Sequence, residues 1–136
     1  MFRVIPLFAV VLAVYNVLLA TSDMPAALAG PVLSIGLVSG ATWVLDLGDA
    51  LLAFGIVVLY VEVAKATRTS TVSVLDHTLS LLVFIGFVVQ FITVAGAGTS
   101  TFALLGLMSL VDVMAGFTVT IVGARRDFGV GDRLDH

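Results

Sequence analysis

Four long apolar runs, with every basic residue confined to alternate breaks between them, constrain this chain more than any motif does. The runs cover about 4–20, 49–66, 74–94 and 101–122. Each approaches the roughly 20 residues that carry a helix across a bilayer core. The 136 residues are 60% hydrophobic and 11% charged, where soluble domains are about half apolar and about a quarter charged. A domain this small leaves much of its surface exposed, so a water-soluble fold has nowhere to hide the excess. The expected fold is all-α membrane: a four-transmembrane-helix bundle forming a single domain over 1–124, followed by a short cytoplasmic tail over 125–136.

The breaks are marked by turn formers and caps. Asp23, Pro25, Gly30 and Pro31 end the first run. Lys65 to Thr71 separates the second from the third, and Ala95-Gly96-Ala97-Gly98-Thr99-Ser100 the third from the fourth. Asp49, Ser70 or Thr71, and Ser100 are the expected N-caps. The first run follows one positive charge, as a signal peptide would. It is longer than the roughly 7–15 residues of a signal core, and the A-x-A-like Ala27-Leu28-Ala29 lies well past its end. It is read as a retained helix.

Basic residues set the orientation. Arg3 precedes the first run, Lys65 and Arg68 lie between the second and third, and Arg125, Arg126 and Arg133 follow the fourth. The connections 21–48 and 95–100 contain no Lys or Arg. The positive-inside rule then puts both termini in the cytoplasm.

Within the long first connection the periodicity changes. From Leu33 to Leu47 apolar residues alternate with period two rather than 3.6, which reads as an extracytoplasmic β-hairpin over about 33–47. A two-residue turn at Ser39-Gly40 would mix the two faces. A three-residue loop, Val38-Ser39-Gly40, keeps odd positions together and places Gly where a left-handed backbone is needed. That loop pairs Ile35 with Trp43 and Leu33 with Leu45. An isolated hairpin is marginally stable, so its apolar face is expected against the bundle end, the lipid interface or a partner.

Polar residues inside apolar runs are the informative ones, because hydrocarbon offers them no partner. Asp112, near the middle of the fourth run, shares a stripe with Gly106, Ser109, Gly116, Thr120 and Gly123. Small residues in line let helix backbones approach, so Gly106, Ser109, Gly116 and Gly123 form the expected packing face. The third run carries a weaker polar stripe at Ser73, Asp76, Ser80 and Gln90. No basic residue shares the depth of Asp112, and Asn16 and Tyr60 are its expected neutral partners in a candidate intramembrane polar site. The plain reading is a protonated carboxyl joining helices; a proton- or cation-handling site and a subunit interface are the alternatives.

Glu62, Lys65, Arg68, Asp76 and His77 form a second candidate cluster, at the cytoplasmic end. Glu62 precedes Lys65 by three residues, the spacing of a helical ion pair. Asp76 and His77 are expected in the first turn of their helix, where an acid complements the dipole. His77 is too isolated for haem or metal, since the other histidine is His136. Without cysteine there is no disulfide or thiol chemistry. No Gly-rich phosphate loop, helical HExxH or paired Glu-x-x-His is present. Two adjacent arginines are too few for nucleic-acid binding. No cofactor is expected.

At Val74-Leu75-Asp76-His77-Thr78-Leu79-Ser80 and Leu110-Val111-Asp112-Val113-Met114-Ala115-Gly116-Phe117 the chain resembles a group of small uncharacterised four-helix bacterial inner-membrane proteins. The resemblance extends over all four helices and implies a bacterial inner-membrane setting, without an activity. The four-helix small multidrug exporters differ: they carry an essential acid in helix one, where this chain has Asn16. Claudin-like proteins share the helix count and outer β-element, but not the absence of paired cysteines. Three functions are carried forward. The first is a structural or accessory protein that packs into an oligomer or a larger membrane complex. The second is a small proton-coupled transporter or ion-conducting subunit using Asp112. The third and weakest is a membrane enzyme.

Overall fold

The computed structural model describes residues 4–68 and 72–134. Arg3, Ser70, Thr71 and His136 lie outside them, as does the side chain of Ser73. Helix α1, Leu7–Thr21, is followed by strands β1, Pro31–Gly36, and β2, Thr42–Asp46. Helices α2, Leu47–Ala66, and α3, Val72–Thr93, come next. A single 3₁₀ turn, Ala95–Ala97, then leads into α4, Ser100–Leu134.

The four helices appear near their expected places, with unequal lengths. Three are long and apolar enough to cross a membrane: Leu47–Ala66, Val74–Thr93 and Ser100–Arg126. The first is shorter than the expected 4–20. It begins only after Pro6, whose ring removes a backbone donor at the N-cap position, and runs 15 residues. Two expected caps are displaced. Asp46, not Asp49, caps α2, its carboxylate accepting the Asp49 N–H at 2.8 Å. At α4 the Thr99 hydroxyl, not Ser100, accepts the Phe102 N–H at 3.2 Å. Helix α4 also continues through most of the segment expected as a loose tail: the change from apolar to charged residues ends the apolar run but not the helix.

Helix α4 packs against both α2 and α3, and α1 closes the bundle. The core is aromatic at its centre. Tyr15 and Phe102 have ring centroids 4.6 Å apart, and Phe87 and Phe102 5.1 Å. Such tilted pairs add about 0.5–1.5 kcal/mol each beyond their burial. Phe8, Val11, Leu51, Val58 and Leu105 complete the layer, and Met24 and Leu28 cover its end from the turn after α1.

The hairpin has the expected register, with Leu33 opposite Leu45 and Ile35 opposite Trp43. Beyond the strands, the Leu37 N–H donates to the Ala41 carbonyl at 2.8 Å, which closes the three-residue loop. Gly40 sits in that loop at φ 86°, a conformation that costs other residues about 1–2 kcal/mol. The strands extend further than expected at the start, to Pro31, with an irregularity in register between Pro31 and Leu33. At the other end Leu47, expected in the hairpin, already belongs to α2. The bundle end does not cover the apolar face: every residue from Pro31 to Val44 is exposed. Only the base is tied down, by the Leu47 N–H to the Gly30 carbonyl at 3.0 Å and the Gly48 N–H to the Leu28 carbonyl at 2.9 Å.

Candidate functional site

Opposite the hairpin, α2, α3 and the start of α1 meet around one lysine. The Lys65 ammonium lies 3.2 Å from Glu62 and 3.4 Å from Asp76, and it also donates to the Ile5 carbonyl at 3.2 Å. Both carboxylates are buried, at 2% and 5% exposure. Glu62 additionally accepts the backbone N–H of Leu7. Helix α1 has no capping side chain of its own, and its first N–H groups are orphan donors at the positive end of a dipole. A carboxylate from the neighbouring helix meets both needs.

Three of the five expected cluster residues, Glu62, Lys65 and Asp76, therefore meet here; His77 turns to α4 instead, and Arg68 does not join. It is exposed, and its recorded bond is the backbone N–H to the Lys65 carbonyl at 3.1 Å. Asp76 and His77 lie past the first turn, because α3 starts at Val72. Their role is to face other helices rather than to cap their own.

Asp112 joins this cluster instead of standing alone. It is 3% exposed, and the charged groups acting on it are Glu62, Asp76 and Lys65. The Ser80 hydroxyl of α3 lies close enough to act on its carboxyl but falls outside full hydrogen-bond geometry. Ser109, fully buried, lies one turn before it on α4. Beside them the His77 ring lies over Gly116, where an added Cβ would fall on the ring. Among the described residues four buried atoms have no partner: His77 Nε2, Ser80 Oγ, Ser109 Oγ and Asp112 Oδ2.

The expected neutral partners of Asp112 are elsewhere. Tyr60 is 75% exposed on the outer side of α2. Asn16 is engaged with Gln90 of α3, its amide donating at 3.0 Å and accepting at 2.6 Å. The interior tyrosine is Tyr15, whose hydroxyl donates to the Gly96 carbonyl at 3.1 Å and lies 2.7 Å from the Thr99 hydroxyl. A polar residue on each of two apolar helices was the available signal for the Asn16–Gln90 pair. Tyr15 had no signal beyond its type.

The small-residue stripe of α4 does face a helix over most of its length. Gly106 is packed against Phe87, a Cβ there meeting the Phe87 Cβ at 3.5 Å; Gly116 lies against His77 of α3, and Ser109 between them is fully buried. Gly123, further along, is partly exposed. Further toward the hairpin end, an apolar groove of about 410 Å³ separates α3 and α4, lined by Phe84, Phe91, Ile92, Leu107 and Leu110 among others. It offers no polar group to orient a reactant.

Chemically, the described residues around Asp112 and Lys65 bring three carboxylates, one ammonium, one imidazole and the two serine hydroxyls. Among the described residues no three of His, Cys, Asp and Glu come close enough to hold a metal ion. No family model, curated protein or solved structure matches the chain.

Proposed function

We propose that this chain is an integral protein of the bacterial inner membrane, with four crossings and both ends cytoplasmic, of the structural or accessory type. It packs into an oligomer or a larger membrane complex. Composition and the three long apolar helices support the membrane setting. Large apolar side chains such as Val17, Ile56, Leu82, Ile92, Leu107 and Ile121 stand exposed around the bundle, as lipid contact requires. The shorter α1 still reaches from end to end. Lys65 meets Ile5 at one end, and Leu19 packs on Gly96 at the other. Those contacts and the one-sided Lys and Arg support an even number of crossings.

The observation that carries the accessory role is the hairpin. Leu33, Ile35, Trp43 and Val44 are all two-fifths or more exposed, on a two-stranded element that is marginal by itself. Something outside this chain covers it. In vivo photo-crosslinking from position 43 tests the reading. Adducts to protein, whether a second copy or another subunit, support the accessory role. Adducts to lipid alone make the hairpin an interface anchor and end the proposal. Ion pairing at Glu62, Lys65 and Asp76 fits this role, since it seals helix ends rather than presenting a reactive group.

A further inference from the structure

We propose that Asp112, Ser80 and Ser109 form an interior site for one monovalent cation, a proton or a sodium ion. The charge balance points there first. Of the three buried carboxylates, Glu62 and Asp76 share Lys65, and Glu62 also takes the Leu7 N–H. Asp112 has no cation in contact, and its Oδ2 is without any partner. A bare carboxylate in an apolar interior is costly unless it is neutralised or paired. Three carboxylates against one ammonium leave this interior short of positive charge, and Asp112 is the one of the three with no cation in contact.

The two hydroxyls are the independent observation. Ser80 and Ser109 are 2% and 0% exposed, come from different helices, and both leave Oγ unpartnered. Buried polar atoms without a hydrogen bond are few in folded proteins, and each calls for an explanation such as an ion. Ser109 shares the face of Asp112 by its three-residue spacing, and Ser80 faces the carboxyl from α3. A carboxylate with two hydroxyls is an all-oxygen, hard donor set. It carries a single formal charge, and no group of three metal-ligating side chains surrounds it, so it suits a monovalent rather than a divalent ion.

The titratable groups around the site are Glu62 and Lys65 from α2 and Asp76 from α3. His77, one turn from Ser80, has Nε2 unpartnered. Helix α1 brings its Leu7 N–H, and the hydroxyl of its Tyr15 is engaged with Gly96 and Thr99 instead. Lys65, with 21% of its side chain exposed, marks the end from which a cation reaches this polar interior. The site stands whether or not the hairpin docks a partner.

Thermal unfolding of the full chain in detergent, in sodium or choline chloride at equal ionic strength and over a pH series, tests it. A ligand that binds only the folded state raises its melting temperature. Sodium binding appears as a melting temperature several degrees higher in sodium than in choline. Proton binding appears as a melting temperature that falls with rising pH, equally in both salts. In Asp112→Asn the corresponding response is lost. A wild-type chain indifferent to both variables, or one whose response Asp112→Asn shares in full, overturns the proposal. Should Asp112→Asn not fold, Ser80→Ala decides: the sodium concentration or pH at half response shifts several-fold or by a comparable step if the hydroxyl is a ligand, and an unmoved midpoint rejects the site.

Discussion

The side-chain amides of Asn16 and Gln90 bind each other twice, at 3.0 and 2.6 Å, across α1 and α3. Each supplies the donor and the acceptor that the other needs, so two amides sit in an apolar bundle with few polar groups left over. Removing one leaves its fellow unmatched. Asn16→Leu or Gln90→Leu alone is expected to cost about 1–2 kcal/mol, and the double replacement less than the sum. A double-mutant cycle in detergent unfolding measures the difference; strictly additive losses would mean that the two amides do not depend on each other.

At Gly116 the constraint is steric. A Cβ has no room beside the His77 ring, and overpacking a close helix contact costs roughly 1–3 kcal/mol. Gly116→Ala should lower stability by that amount, and His77→Ala in the same chain should recover a good part. Equal stability of Gly116→Ala and wild type, by thermal unfolding, would show that α3 and α4 are not this close.

For Glu62 two substitutions separate its roles. Glu62→Gln keeps an oxygen to accept the Leu7 N–H but gives up the charge on Lys65; Glu62→Leu gives up both. The first should cost less than the second, by the roughly 1 kcal/mol typical of a lost helix cap. Amide hydrogen exchange localises the effect: faster exchange confined to the first turn of α1 is expected in Glu62→Leu. Uniform change along the chain would contradict the cap.

The crossing number is open to a direct test. Reporters active only outside the cytoplasm should be silent when fused after Val122 and active when inserted at Ser39. An active fusion after Val122 would mean that the shorter α1 does not cross and that the chain has three crossings.

How far the sequence carried these conclusions depends on what each feature is made of. The register of the hairpin, though not its bounds, was legible to the residue, because a period of two and a loop of three leave one register in which Ile35 meets Trp43. The apolar runs gave the helices within a few residues, the far end of α4 excepted. Helix rotation was legible only where small residues lined up, as at Gly106 and Gly116. Helix α2 is apolar nearly all round, and such a helix has no periodic stripe to say which side turns inward. Tyr60 was therefore expected inside and stands outside, while Tyr15 of α1, which the sequence did not single out, is buried. The partner of Asp112 went unread for a related reason. Which residues of α3 face it depends on the stagger between two helices, and that stagger follows from how His77 and Phe87 seat on α4 glycines. Helix starts were misjudged by a residue or two at α2 and α4, where more than one capping side chain was on offer, and the far end of α4 by several turns, because its helix outlasts its apolar run.

One feature of the hairpin concerns mechanics more than stability. Strand β2 ends at Asp46 and α2 begins at Leu47, with no linker between them, and Asp46 is itself the cap that starts the helix. Strand and helix thus behave as one stiff lever. From Leu47 to Glu62 this lever is about 22 Å long at 1.5 Å per residue. A partner that tilts or twists Trp43 meets no linker residues between strand and helix, so the motion bears directly on the first turn of α2.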